Sequence, residues 1–205
     1  MNFSNHPSHL SLMGNHERKH IRCARHEVRL ALSQIISREE FGTTYSQAME
    51  RMGNLPLYVD LSEAVLAHGN LEPDIPLEQQ RDKVLCGTMS GDHYLRNQYE
   101  QPCCYALYDG DKPVIVGHHD HLRNGQPFIY QDRTFCLDTS CCVHGGTLTG
   151  LLLPEFKLVS VPSRRDYWRE TQQKFAQMKS PRQVTPPRQI LPARWMEPGQ
   201  RANSG

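Results

Sequence analysis

Between Glu17 and Ser37 the apolar residues Ile21, Val28, Leu30, Leu32, Ile35 and Ile36 recur at roughly helical spacing among basic residues, which predicts a helix. Gly42 interrupts the pattern, and a second, short helix is expected from Tyr45 to Met52, where Gly53-Asn54 ends it. The period then changes to that of strands. Leu55–Leu61 and Glu63–Ala67 read as two strands, the second tipped by His68-Gly69. Pro73 and Pro76 mark a loop, and a polar, helical stretch is expected over about 77 to 107. The apolar run Pro113–Gly117 predicts another strand, ending in Gly117-His118-His119-Asp120-His121. Further strands are expected at Pro127–Tyr130, Thr134–Leu137, Thr147–Leu153 and Lys157–Val161, and the short patch Leu10–Met13 reads as a buried strand. Helices followed by strands with histidines at their ends predict a layered α/β domain whose site lies along the strand termini. That domain is expected over residues 1–165. Residues 166–205, rich in Gln, Arg and Pro and without periodicity, are expected to form a disordered tail.

Composition narrows the function classes. The 23 Lys and Arg against 22 Asp and Glu leave a formal charge of +1, which argues against nucleic-acid binding by long-range attraction. No apolar run is long enough for a membrane helix, and the first fifteen residues lack the apolar run of a secretory signal. The seven cysteines, an odd number with two adjacent pairs and no C-x-x-C repeat, are expected to be reduced thiols of a cytoplasmic protein. A zinc site of Cys103, Cys104, Cys141 and Cys142 is the less favoured alternative, since the spacing matches no established pattern.

Three segments place metal-ligating residues directly after short apolar runs: Gly14-Asn15-His16-Glu17, His68-Gly69-Asn70 and Gly117-His118. They lie roughly fifty residues apart, room for a βα excursion between sheet edges. Asn offers a carbonyl oxygen and His a neutral nitrogen, a donor set suited to Mn, Fe or Zn. Among the other polar candidates, Asp120 reads as a loop residue, His119 and His121 as solvent-facing, and Asp138 as a turn acid. Cys141 and Cys142 are expected to fill a tight core turn. The basic run Arg18, Lys19, His20, Arg22, Arg25 and Arg29 reads as a solvated helix face.

In their order and context these blocks resemble the calcineurin-like metallophosphoesterases, in particular the Ser/Thr protein phosphatases and symmetrical diadenosine tetraphosphate hydrolases. Met13-Gly14-Asn15-His16-Glu17 matches the G-N-H-[ED] block, Val65-Leu66-Ala67-His68-Gly69 the H-[GA]-G block, and Val114-Ile115-Val116-Gly117-His118 the G-H block. Leu55-Pro56-Leu57-Tyr58, Leu137-Asp138-Thr139 and Gly145-Gly146-Thr147-Leu148-Thr149 resemble the flanking strand segments. The resemblance implies that Asn15, His68 and His118 bind one ion of a two-metal centre, that His16 protonates the leaving oxygen, and that Glu17 orients His16. It implies hydrolysis of a phosphorylated protein or nucleotide by a hydroxide bridging two divalent ions, with no membrane or nucleic-acid partner.

The family's G-D-x-H-G and G-D-x-x-D-R-G blocks do not occur in the sequence. The expected fold is therefore an incomplete metallophosphoesterase α/β sandwich lacking its N-terminal βαβ portion, read as truncated from a longer gene. Asn15, His68 and His118 are neutral donors, so the chain is expected to be inactive or impaired. The alternative is a degenerate, non-catalytic family member acting as a binding module.

Overall fold

The computed structural model describes residues 9–100 and 104–177. They fall into two units, residues 16–55 and the segments 9–15 plus 56–177. In the first, α1 (Asn15–Ala24, beginning one residue before the boundary), α2 (Leu32–Phe41) and α3 (Tyr45–Met52) follow one another. The sequence pattern predicts one helix where α1 and α2 stand, and the break has a local cause. His26 takes a left-handed φ of 62°. Its N–H bonds to the Cys23 carbonyl at 2.9 Å and the Glu27 N–H reaches back to Arg22 at 3.0 Å. That is the paired closing bond of a Schellman ending, made here by His rather than the usual Gly. Ile21, Ile36 and Met49 are buried in this unit.

His20 departs from the expected solvated face. It is buried, with Nδ1 hydrogen-bonded to the Tyr45 hydroxyl at 2.9 Å. Burial, which disfavours the charged ring, lowers its pKa, and burial pushes the Tyr45 phenol up to about 12.

The second unit holds a five-stranded sheet of β1 (Tyr58–Asp60), β2 (Val65–Ala67), β3 (Val114–Val116), β4 (Phe128–Tyr130) and β5 (Thr134–Cys136), in the order β1-β2-β3-β5-β4. The inner three are parallel and the outer two antiparallel to their neighbours. Val114, Ile115 and Val116 are all buried, as a central parallel strand covered on both faces requires. One face packs Val65, Ala67, Leu71, Leu85, Tyr105 and Cys136, and the other packs Ala64 and Phe135 with Leu151, Leu153 and Phe156. The excursion from β2 to β3 carries α4 (Asp82–Leu85) and α5 (Met89–Tyr99), with 3-10 turns at Leu77–Gln79 and Cys104–Leu107. β6 (Thr147–Leu152) and β7 (Lys157–Pro162) form a separate antiparallel ribbon that leaves Leu148, Leu152, Val159 and Val161 exposed.

Three expectations are corrected. Leu10–Met13 is not a strand, and Leu10 is exposed. The Met13 N–H donates to the Pro56 carbonyl, two residues before β1, at 2.9 Å, and Pro56 has no N–H with which to return a ladder. Residues Tyr167–Gln177 form α6 inside the segment expected to be a disordered tail, while 178–205 lies outside the described residues. Cys141 and Cys142 are exposed rather than in the core. None of the five cysteines with described side chains is in a disulfide; Cys103 and the Cys104 side chain lie outside the described residues. No described helix is long and apolar enough to cross a membrane.

The His20 environment sets a pH dependence. Its folded pKa lies below the unfolded one, so the unfolded chain binds more protons through the ordinary imidazole range, and stability falls as pH drops through that range. Urea midpoints of wild type and His20→Gln, compared between about pH 5 and pH 7.5, should differ in slope, the wild type losing more stability on acidification.

Candidate metal centre

The three parallel strands end level with one another. Val65 pairs with Val114 and Leu66 with Ile115, while Val116 pairs with Cys136, so the next residues out are His68, Gly117-His118 and Leu137-Asp138. The Gly117 N–H donates to the His68 carbonyl at 3.0 Å, carrying the β2–β3 pairing one residue past the strands. This is the carboxyl edge at which open α/β sheets bind ligands.

Asn15 reaches the same edge. Its Oδ1 lies 3.2 Å from His68 Nε2, across 53 residues of sequence. The His68 and His118 rings follow with centroids 5.3 Å apart. The sequence-derived donors Asn15, His68 and His118 are thus gathered in one place. Of the other two predicted residues, His16 is exposed and Glu17 half-buried, each within the helical unit.

Two glycines set how closely the histidines approach. A Cβ on Gly69 would collide with the backbone N and Cα of Gly87, just past α4, and would lie 2.6 Å from the Val84 carbonyl oxygen. A Cβ on Gly87, whose φ is +61°, would lie 2.5 Å from Cδ2 of the His118 ring. Gly69 N–H and Asn70 N–H donate to the Leu85 and Val84 carbonyls at 2.7 and 3.0 Å, fastening the end of β2 to α4. Behind this junction the fully buried Glu72 carboxylate accepts from the Arg81 N–H at 2.9 Å and pairs with the Arg81 guanidinium.

His118 itself has φ +70°, and the His119 N–H bonds to the Gly117 carbonyl at 2.8 Å. This is a three-residue turn of the strained kind, with a cost of about 1–3 kcal/mol that the surroundings must impose. The turn brings His119 to Asp92, in the first turn of α5: Asp92 Oδ2 is 3.2 Å from His119 Nε2 and 3.9 Å from His118 Nε2. Burial alone would raise the Asp92 carboxyl. The hydrogen bonds and charges of His118 and His119 outweigh it and hold the group well below the usual carboxylate range.

Sequence reasoning missed Asp92, because an acid in the first turn of a helix capped by Thr88 looks like ordinary helix chemistry. His119 and His121 are not simply solvent-facing. His119 meets Asp92, and His121 packs against Tyr105 and Phe128 with ring centroids 5.1 Å away in each case. Asp138 is the expected turn acid, its Oδ1 accepting from the Ser140 N–H at 2.9 Å.

A cleft of about 400 Å³ lies at the opposite end of the sheet, where Asp60 closes the antiparallel β1, Val65 stands at the start of β2 and Lys112 just before β3. Asp60, Asp74, Asp109 and Asp111 line it against the single cation Lys112, so its field repels phosphate.

No family model matches the chain. It is similar to proteins named bis(5'-nucleosyl)-tetraphosphatase PrpE [asymmetrical]. The one from Halalkalibacterium halodurans is 33% identical over 144 residues, which is 68% of this chain and 56% of that protein. The one from Anoxybacillus flavithermus is 32% identical over 130 residues, 61% of this chain and 51% of that protein. The chain belongs with the calcineurin-like metallophosphoesterases. It spans about half the length of the curated relatives it matches. A crystal structure of a protein proposed to be a diadenosine tetraphosphatase shares the fold, with a TM-score of 0.56 and 24% identity over 75% of this chain and 68% of that one. These relatives carry the asymmetrical designation, whereas the motif blocks resemble those of the symmetrical hydrolases.

The donors present fit the divalent ions this family uses. Two imidazoles and an amide oxygen converge at the sheet edge, with a carboxylate beside them. Gly87→Ala tests how that edge is held. The new methyl must displace the His118 ring and adopt a left-handed φ, which together should cost at least about 1 kcal/mol in urea denaturation.

Proposed function

We propose that this chain carries one metal half-site of a nucleotide polyphosphate hydrolase, with Asn15, His68 and His118 as its donors. The observation that supports it most is the meeting of Asn15 Oδ1 and His68 Nε2 at 3.2 Å beside the His118 ring, at the carboxyl ends of the parallel strands. A divalent ion such as Mn, Fe or Zn would supply Lewis-acid neutralisation of phosphoryl oxygens there. The names of the relatives favour a nucleotide polyphosphate over a phosphoprotein.

The chain's own residues do the rest. His16, directly after Asn15, gives its proton to the departing phosphate oxygen, and Glu17 holds the imidazole in orientation. The strand-end backbone fixes where His68 and His118 start from, and loading would take the proton from the His68 Nε2 that meets Asn15 Oδ1.

No seat for a second ion independent of His118 is found among the described residues. Among the described residues one cluster of His, Cys, Asp and Glu has metal-holding geometry, and it contains His118. The 205-residue chain is therefore expected to hydrolyse diadenosine tetraphosphate with manganese at near-background rates. A rate within about tenfold of a PrpE relative assayed alongside would refute that expectation. In any form with measurable turnover, His16→Ala should lower kcat by about 10²- to 10⁴-fold.

Metal retention tests the donor set directly. After manganese loading and desalting, His68→Ala and His118→Ala should each hold less metal than wild type. Equal metal in wild type and His68→Ala would remove His68 from the set. Tight nucleotide binding without turnover, even at full manganese occupancy, would favour a non-catalytic binding module, the reading to which three neutral donors otherwise point.

A further inference from the structure

We propose that Asp92, His118 and His119 form a divalent-cation site in which the Asp92 carboxylate is the anionic donor. It shares His118 with the half-site above but requires neither Asn15 nor His68, so the two readings can fail separately.

The geometry is that of donors a short closure away from a common ion. Asp92 Oδ2 lies 3.2 and 3.9 Å from the Nε2 atoms of His119 and His118, and one donor atom from each of the three residues falls within 4.8 Å of the others. Nitrogen and oxygen donors held at about 2.1 Å from one ion sit roughly 3–4 Å apart.

Successive side chains of an extended segment point to opposite sides. His118 and His119 nevertheless meet the same carboxylate, because the chain turns at His118 into a left-handed conformation closed by the His119-to-Gly117 bond. The His118 ring is seated against Gly87, where a Cβ would exclude it. Side-chain exposures of 14% for His118, 23% for Asp92 and 40% for His119 shelter the donors without closing them off. Two imidazoles and one carboxylate suit Zn(II), Co(II), Fe(II) or Mn(II), and three protein donors leave positions on the ion for a phosphate oxygen.

Cobalt(II) is the probe. The purified chain is titrated with it while the visible d–d absorption is followed, and a thermal melt confirms that each variant is folded. Asp92→Asn and His119→Gln should each weaken cobalt binding by about tenfold or more, and His118→Ala should weaken it as well. Binding within about threefold of wild type in folded Asp92→Asn and His119→Gln overturns the site, whatever His68→Ala does. Weakened binding in those two variants, with wild-type affinity in Asn15→Ala and His68→Ala, upholds the site and removes the earlier half-site. A wild-type chain that shows no saturable cobalt spectrum overturns it outright.

Discussion

The junction at Gly69, Gly87 and His118 governs what this sheet edge can hold. Backbone from the end of β2 lies against backbone just past α4, and the other side of that turn carries the His118 imidazole. The first contact is backbone on backbone and the second is backbone against the His118 ring, so main-chain positions limit how closely the end of β2 and the His118 ring approach the turn after α4. Main-chain positions are the stiffest a protein has, since each is held by bonded geometry and by its hydrogen bonds. Here those bonds run from Gly69 and Asn70 to the last turn of a four-residue helix. A helix that short has little stability of its own. Its anchoring by the buried Glu72 and by Arg81, which also lies over the Tyr94 ring, is therefore part of how the histidines are placed.

Much of this was legible in the sequence where periodicity carried it. The strands that end in His68 and His118 read directly as short apolar runs, and α3 matches its expected span. The three neutral donors could be named because each sits in a local block with its own spacing. What escaped was of two kinds. The break after α1 depends on His26 adopting a conformation that usually announces itself as glycine, so the apolar period runs through it unmarked. Asp92 depends on tertiary approach alone. Thr88-Met89-Ser90-Gly91-Asp92 is a good helix start on its own terms, and nothing in it says that the acid faces two histidines from another loop.

That omission bears on the electrostatics. Asn15, His68 and His118 bring no formal charge, and a dication among neutral donors keeps its full charge to be balanced by solvent or substrate. A carboxylate within 3.9 Å of the His118 ring nitrogen supplies negative charge at the edge itself. Its position off the sheet, on α5, separates the task of fixing geometry, done by strand ends, from that of balancing charge. The close contact of Gly91 with the Lys83 carbonyl packs α5 onto α4 and so ties the carboxylate to the helix whose following turn, at Gly87, seats His118.

The two ends of the sheet offer different groups to the nucleotide polyphosphate proposed above. In the cleft at the other end four aspartates face one lysine, and a chain of phosphates brought there would meet net repulsion. At the strand ends the carboxylate is engaged by two imidazoles, and the backbone of Gly117 and His118 turns sharply enough to present adjacent rings together. Volume favours the acidic cleft as a place for a ligand, and charge disfavours it for this one. For the proposed phosphate-ester reading the charge argument weighs more, because hydrolysis turns on stabilising negative oxygen and, of these two places, the histidine edge is the one whose imidazoles could hold a cation to do it.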